Sequence, residues 1–119
     1  MKGKGRRKRG RVVWKGVDPR GRHVRLSRET LVIHIEPGHS EVKANFDLIG
    51  LTVSDPDRIL ASGTKFPNRE IYERLDDVKG YAARRRCYWV VVVEWRRPGR
   101  SWRGDALLGA IITTYASQK

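Results

Sequence analysis

The sequence predicts an α+β domain, with N-terminal helices packed on an antiparallel sheet of about four strands. Three observations lead there. A segment with a capping serine and spaced apolar positions, "SRETLVIHI" at residues 27–35, comes early. Later the pattern changes to strands: "REIYERL" (69–75) alternates, and "RCYWVVVVEW" (86–95) is almost wholly apolar. A final run, "LLGAIITTYAS" (107–117), reads as the closing strand. At 119 residues the chain is long enough to bury one core, so a single domain over 12–119 is expected behind a disordered basic tail, 1–11.

In chain order, "RVVWKGV" (11–17) and "HVRL" (23–26) are extended and flank "DPRGR" (18–22), a turn with Pro and Gly, so the two pieces are expected to form a hairpin. Ser27 is placed to cap the helix that follows, with Glu29 and Thr30 in its first turn and Leu31, Ile33 and Ile35 as its apolar positions. Pro37 disfavours helical geometry at Glu36, which stops or kinks the helix near 36. A second helix is expected from His39 or Ser40 to about Leu51, with Val42, Phe46, Leu48 and Ile49 on one side and Gly50 near its end. "TVSDPDRIL" (52–60) turns at Asp55–Asp57 and then extends. The run 86–95 is the expected central strand, buried on both faces for part of its length. "RRPGRSWRGDA" (96–106) is a long basic loop.

Charge narrows the function classes. The net charge is +13, and residues 1–11 alone carry seven Lys/Arg and no acid. Setting them aside leaves 19 basic against 13 acidic residues, still +6. A second basic block, Lys79 to Arg103, holds eight Lys/Arg and only Glu94 as an acid. Such clusters attract polyanions, chiefly nucleic acid, by neutralising phosphates and releasing counterions. A solubilising tail with solvated loops is the other reading of the same charges. The basic segments lack an apolar face for a membrane surface, and no stretch is long and apolar enough to be a transmembrane helix. The single cysteine, Cys87, leaves no intrachain disulfide and fits a reducing, cytoplasmic setting.

Three constellations could carry chemistry. In "IHIEPGHSEV" (33–42), His34 and His39 are five apart, about 140° around a continuous helix, not the i, i+4 spacing of a helical zinc pair. With Pro37 and Gly38 between them, a metal site is disfavoured. An acid–base histidine and an uninvolved surface histidine stand level on spacing alone. In "TTYASQK", Thr113 and Tyr115 share one strand face and Thr114 takes the other. In "NREIYER", Tyr72 and Arg74 share a face near Arg69, where an arginine could grip a phosphate or pair with Glu70 or Glu73. No phosphate-cradling glycine motif is present.

In their order along residues 12–117, the elements "HVRLSRETLVIHIEPGHSEV", "TVSDPDRI", "NREIYER", "YWVVVVEW" and "AIITTY" resemble the phage-type nucleases grouped with barnase, EndoU, the tRNase colicins and the RelE toxins. The chain departs from that pattern. Leu31 and Val32 stand where an aromatic residue is common, and Pro37 precedes His39 instead of a proline following it. The resemblance implies a cofactor- and metal-independent endoribonuclease acting on RNA, tRNA included, by 2′-hydroxyl attack to a 2′,3′-cyclic phosphate. It implies His34 or His39 as acid–base residue, with His34 favoured because the helix holds it. Arg74 and Thr114 would stabilise the crowded phosphate. Lys43, Arg69, Tyr72, Thr113 and Tyr115 would bind substrate. Expected partners are RNA, DNA through the basic tail, and a neutralising protein partner if the chain is toxic, in a host-cell or phage-associated setting. The alternative is a basic nucleic-acid-binding protein without catalysis; a structural protein whose tail meets packaged DNA is a third reading.

Overall fold

A computed structural model of the chain describes residues 11–79, 86–97 and 107–118. Residues 1–10 of the tail expected at 1–11, residues 80–85 of the second basic block and residues 98–106 of the long loop lie outside the described residues. Among the described residues six strands form one sheet: β1 (Val12–Val17), β2 (His23–Ser27), β3 (Arg58–Ala61), β4 (Arg69–Asp77), β5 (Arg86–Arg96) and β6 (Leu108–Ser117). Their order is β1-β2-β6-β5-β4-β3. Three short helices interrupt the strands: α1 (Thr30–Ile35, π-wound), α2 (Glu41–Ala44) and α3 (Phe46–Ser54).

This corrects the expected plan of helices on a four-stranded antiparallel sheet. The meander β3–β6 is antiparallel throughout. The N-terminal hairpin, however, joins the same sheet by a parallel pairing of β2 with β6, at Val24 opposite Gly109 and Arg25 opposite Ala110, which makes the sheet six-stranded and mixed. The cause is burial. Val24 and Leu26 are 1% and 0% exposed, and lying beside β6 extends the apolar layer that they need. Full burial of such side chains contributes ~1.5–3 kcal/mol each. A hairpin read locally shows that it must bury one face but not which sheet edge will cover it.

All three helices contribute to one face of the sheet. Leu31, Ile35, Val42, Leu48, Ile49 and Val53 pack there with Trp89, Val91 and Val93 of β5. The valine-rich run is the centre of the sheet because both of its edges are paired, along β4 and β6. In β6 the register shifts between Val92 and Val93, leaving Ile112 as an extra residue, a bulge that reverses which side chains face the helices on either side of it.

Local details follow the sequence in part. Ser27 Oγ accepts the Thr30 N–H at 3.1 Å, the capping bond expected of it. α1 ends before Pro37, but its winding is π: the Glu36 N–H reaches Leu31 O at 2.9 Å. The helix expected from 39 to 51 is divided at Asn45, whose side chain bonds Glu41 O, Lys79 O and the Lys79 N–H, tying the break to the end of β4. Gly50 does not end the second helix. α3 continues to Ser54, and Gly50 is where the Trp14 indole lies flat against it; a Cβ there would stand 2.6 Å from Trp14 Nε1.

Candidate nucleic-acid interface

β2 pairs with β6 only at the start of β6, and β6 also meets α1 and α2. Glu41 Oε2 accepts the Ala116 N–H at 3.1 Å, satisfying a backbone donor that a paired strand would have taken. The same carboxylate oxygen lies 3.8 Å from His39 Nδ1. The imidazole stacks on Tyr115 with centroids 5.3 Å apart and planes 26° apart. Three side chains thus meet at the rim: His39, Glu41 and Tyr115. Beside them, Val32, Glu36, Pro37, Ser40 and Lys43 line an open groove of about 320 Å³. His34 is exposed on the outer side of α1, next to exposed Val32 and Ile33, so the structure surrounds His39 with partners rather than His34. α1 is anchored by Leu31 and Ile35, and those buried positions turn His34 outward.

The remaining expected residues are not brought together. Thr114 is fully buried on the helix side, and its hydroxyl donates to Val90 O at 2.7 Å. Thr113 and Tyr115 lie on the opposite face, both half-buried. Arg74 faces the helix side and is taken by two acids: Nε by Asp76 at 3.1 Å, Nη1 by Asp55 at 2.8 Å, with a third bond to Asp55 O. Those bonds fasten the end of α3 to β4. Arg69 stands on the other face at the opposite end of β4, bonded to Glu94 at 3.1 Å and stacked over Phe66 at 3.9 Å. From the level of Arg69 and Ala110 to that of Tyr115, the strands run roughly 15 Å.

Tyr72 is fully buried and belongs to a polar network that crosses the sheet. Its hydroxyl donates to Asp18 Oδ2 at 2.8 Å and accepts from Arg20 Nη2 at 3.0 Å. Asp18 also accepts the N–H groups of Arg20 and Arg22, at 3.0 and 2.9 Å, which closes the hairpin turn; Gly21, at φ 82°, supplies the left-handed residue the turn requires. Arg20 reaches across to Glu70 at 2.6 Å, and Glu70 accepts the Trp95 indole N–H at 2.9 Å. Burial opposes ionisation of Asp18, but the N–H of Arg22, the Tyr72 hydroxyl and Arg20 outweigh it and hold the carboxyl below its ordinary range. Arg20 holds Glu70 low against the cost of burial, with help from Trp95. Burial, then the bond to Asp18, pushes the Tyr72 hydroxyl well above its ordinary value. Asp18, Arg20 and Trp95 were not singled out in the sequence, and Glu70 only as an ion-pair partner for the arginines near it, although "DP" before "RGR" marks an aspartate able to cap its own turn.

With Asp18 committed inside, the hairpin is basic on its outside. Arg11, Lys15, Arg20, Arg22, Arg25 and Arg28 lie between residues 11 and 28, and all are exposed. Only Arg20 among these has an ion pair among the described residues. Lys15 stands directly opposite Arg25, a like-charge cross-strand pair that works against folding by a few tenths of a kcal/mol to ~1 kcal/mol. Burial of Val24 and Leu26 exceeds that cost, so the fold tolerates it. The row continues across the sheet: Lys15, Arg25, Ala110, Glu94, Arg69. It lies on the face to which no described helix contributes.

No protein-family model, curated protein or solved structure matches the chain. Among the described residues no helix is long and apolar enough to cross a membrane. No three His, Cys, Asp or Glu side chains among them gather where they could hold a metal ion.

Proposed function

We propose that this chain is a nucleic-acid-binding domain, with RNA as its principal ligand, that engages the phosphate backbone through the β1–β2 hairpin and the helix-free face of the sheet. The observation that carries this reading is the Lys15–Arg25 pair: two exposed cations set opposite each other, neither in an ion pair among the described residues, in a chain of net charge +13. Such a pair costs stability in the free protein, and a phosphate placed between the two charges removes the cost. Binding driven this way releases counterions, so affinity for a labelled RNA should fall steeply from 50 to 200 mM salt. An affinity that stays constant over that range overturns the reading.

The cluster at the rim favours a second reading, the metal-independent ribonuclease. Glu41 beside Nδ1 can orient the His39 imidazole, leaving Nε2 to exchange a proton with a ribose hydroxyl, while Tyr115 supports the ring. Arg74 and Thr114 are engaged elsewhere, so in this reading phosphate stabilisation falls to other cations, Lys43 beside the groove being the nearest candidate. The test is tRNA incubated with the protein in EDTA and analysed for 2′,3′-cyclic phosphate ends. Cleavage abolished by His39→Ala and retained by His34→Ala supports the reading; intact RNA at high protein concentration eliminates it.

A further inference from the structure

On the helix-free face, Glu94 holds two arginines at once. Arg96 donates Nε to its Oε1 at 2.7 Å and Arg69 donates Nε to its Oε2 at 3.1 Å. The geometry has a consequence for the unused atoms. Neither guanidinium uses an Nη atom on an acid among the described residues, so toward those residues both planar forks keep their paired N–H groups unspent. Arg69 is further flattened onto the Phe66 ring at 3.9 Å, and the Arg69 N–H to Phe66 O bond, at 3.1 Å, fixes the turn that puts the ring there. One carboxylate cannot neutralise two guanidinium groups, so the cluster keeps a net positive charge. Across the small Ala110, roughly 10 Å from Glu94, lies Arg25, with Lys15 one strand farther. At the other end of the same face the arrangement recurs: Arg58 gives Nε to Glu73 at 2.5 Å and lies over the Tyr88 ring at 5.2 Å.

We propose that the Glu94-organised Arg69–Arg96 pair is a phosphate-binding site for single-stranded nucleic acid, with Lys15 and Arg25 holding a second phosphate of the same strand across Ala110. This rests on the nucleic-acid-binding reading above and names the site and ligand class within it. One feature selects a single strand over a duplex. The forks suit a phosphate of either, but the Arg69 guanidinium over the Phe66 ring offers a platform to an unpaired base, which a duplex keeps inside its own stack.

Charge alone and an organised clamp make opposite predictions for Glu94. Fluorescence anisotropy with a labelled single-stranded RNA of about 12 nucleotides, and with the corresponding duplex, reads both. For the wild type, the single strand should bind at least several-fold more tightly than the duplex. Glu94→Ala raises the net charge by one, so simple attraction predicts tighter binding, whereas loss of the clamp's organiser predicts weaker binding. Arg69→Gln with Arg96→Gln should weaken single-strand binding about tenfold or more and make its salt slope shallower by 1–2. Arg69→Lys with Arg96→Lys keeps the charge but removes the forks and should fall between wild type and the glutamine pair. Circular dichroism and thermal melts on each variant separate lost binding from lost folding. No binding by the wild type overturns both the function and the site. Binding by the wild type with tighter binding by Glu94→Ala, with no effect of the glutamine pair, or with no preference for the single strand, overturns the site and leaves the function standing.

Discussion

At the scale of single residues, side-chain partners decide what each group can do. Tyr72 is the clearest case. The sequence marks it as a strand tyrosine beside two arginines, a fair candidate for the substrate. In the fold its hydroxyl is buried between Asp18 and Arg20, so its work is to hold the hairpin turn on the sheet. Tyr72→Phe removes one of the three donors to Asp18 Oδ2, leaving Arg20 Nε and Nη2, and the loss of a hydrogen bond to a charged group should lower stability by ~1–3 kcal/mol at pH 7, read by urea denaturation. The pH dependence has a definite sign. Because the folded state raises the pKa of the phenol, its contribution is intact below the unfolded value near 10 and is lost as pH rises above it. The stability gap between wild type and Tyr72→Phe should therefore narrow above pH 10. Asp18 and Glu70 act at the acid end. Their folded values are depressed, so their contribution is present above the unfolded values near 4 and drains away as pH falls below them. Gly50 is the second case. A methyl group there meets Trp14 Nε1 at 2.6 Å, so Gly50→Ala should cost about 1–3 kcal/mol by displacing the indole, despite the better helix propensity of alanine. An unchanged urea midpoint would show that Trp14 does not hold α3 to β1.

At the scale of elements, the proposed function sets folding and binding against each other in the β1–β2 hairpin. Its inner face carries Val24 and Leu26, and its outer face sets Lys15 against Arg25. Lys15→Glu converts a repelling pair into an attracting one. It should stabilise the fold by about 0.5–1 kcal/mol and at the same time weaken RNA binding, with a salt slope shallower by about 1. A thermal melt and an anisotropy titration on the same preparation test both signs; a variant that gains stability without losing affinity would remove the hairpin from the interface. α1 shows a different limit of element-scale reasoning. Its stop before Pro37 was legible, because proline constrains the residue before it. Its π-winding was not, and it is the burial of Leu31 and Ile35 against the sheet that leaves His34 outside and carries the chain on to His39.

At the scale of the whole molecule, charge governs behaviour toward polyanions. Residues 1–11 carry seven of the 26 basic residues. Deleting them should weaken binding of a single-stranded RNA and flatten its salt dependence by as much as about 5 in slope without abolishing binding, because the hairpin and the Glu94 cluster remain. An unchanged slope would show that the tail stays away from the ligand.

The sequence by itself determined where the extended segments lie, their alternation, the central place of the valine run and the strongly basic charge. These are properties of neighbouring residues: period-two apolarity, turn chemistry at "DPRGR" and the excess of Lys and Arg. Thr113 and Tyr115 could be set on one face and Thr114 on the other for the same reason. Tertiary structure alone decided which sheet edge the hairpin joins, because that depends on how two distant apolar faces are covered together. It also decided that Arg74 and Thr114 would be spent on Asp55, Asp76 and Val90, while Arg69 and Arg96 would share Glu94. A side chain's partners come from residues tens of positions away, and no local pattern records which of its hydrogen bonds the fold will claim.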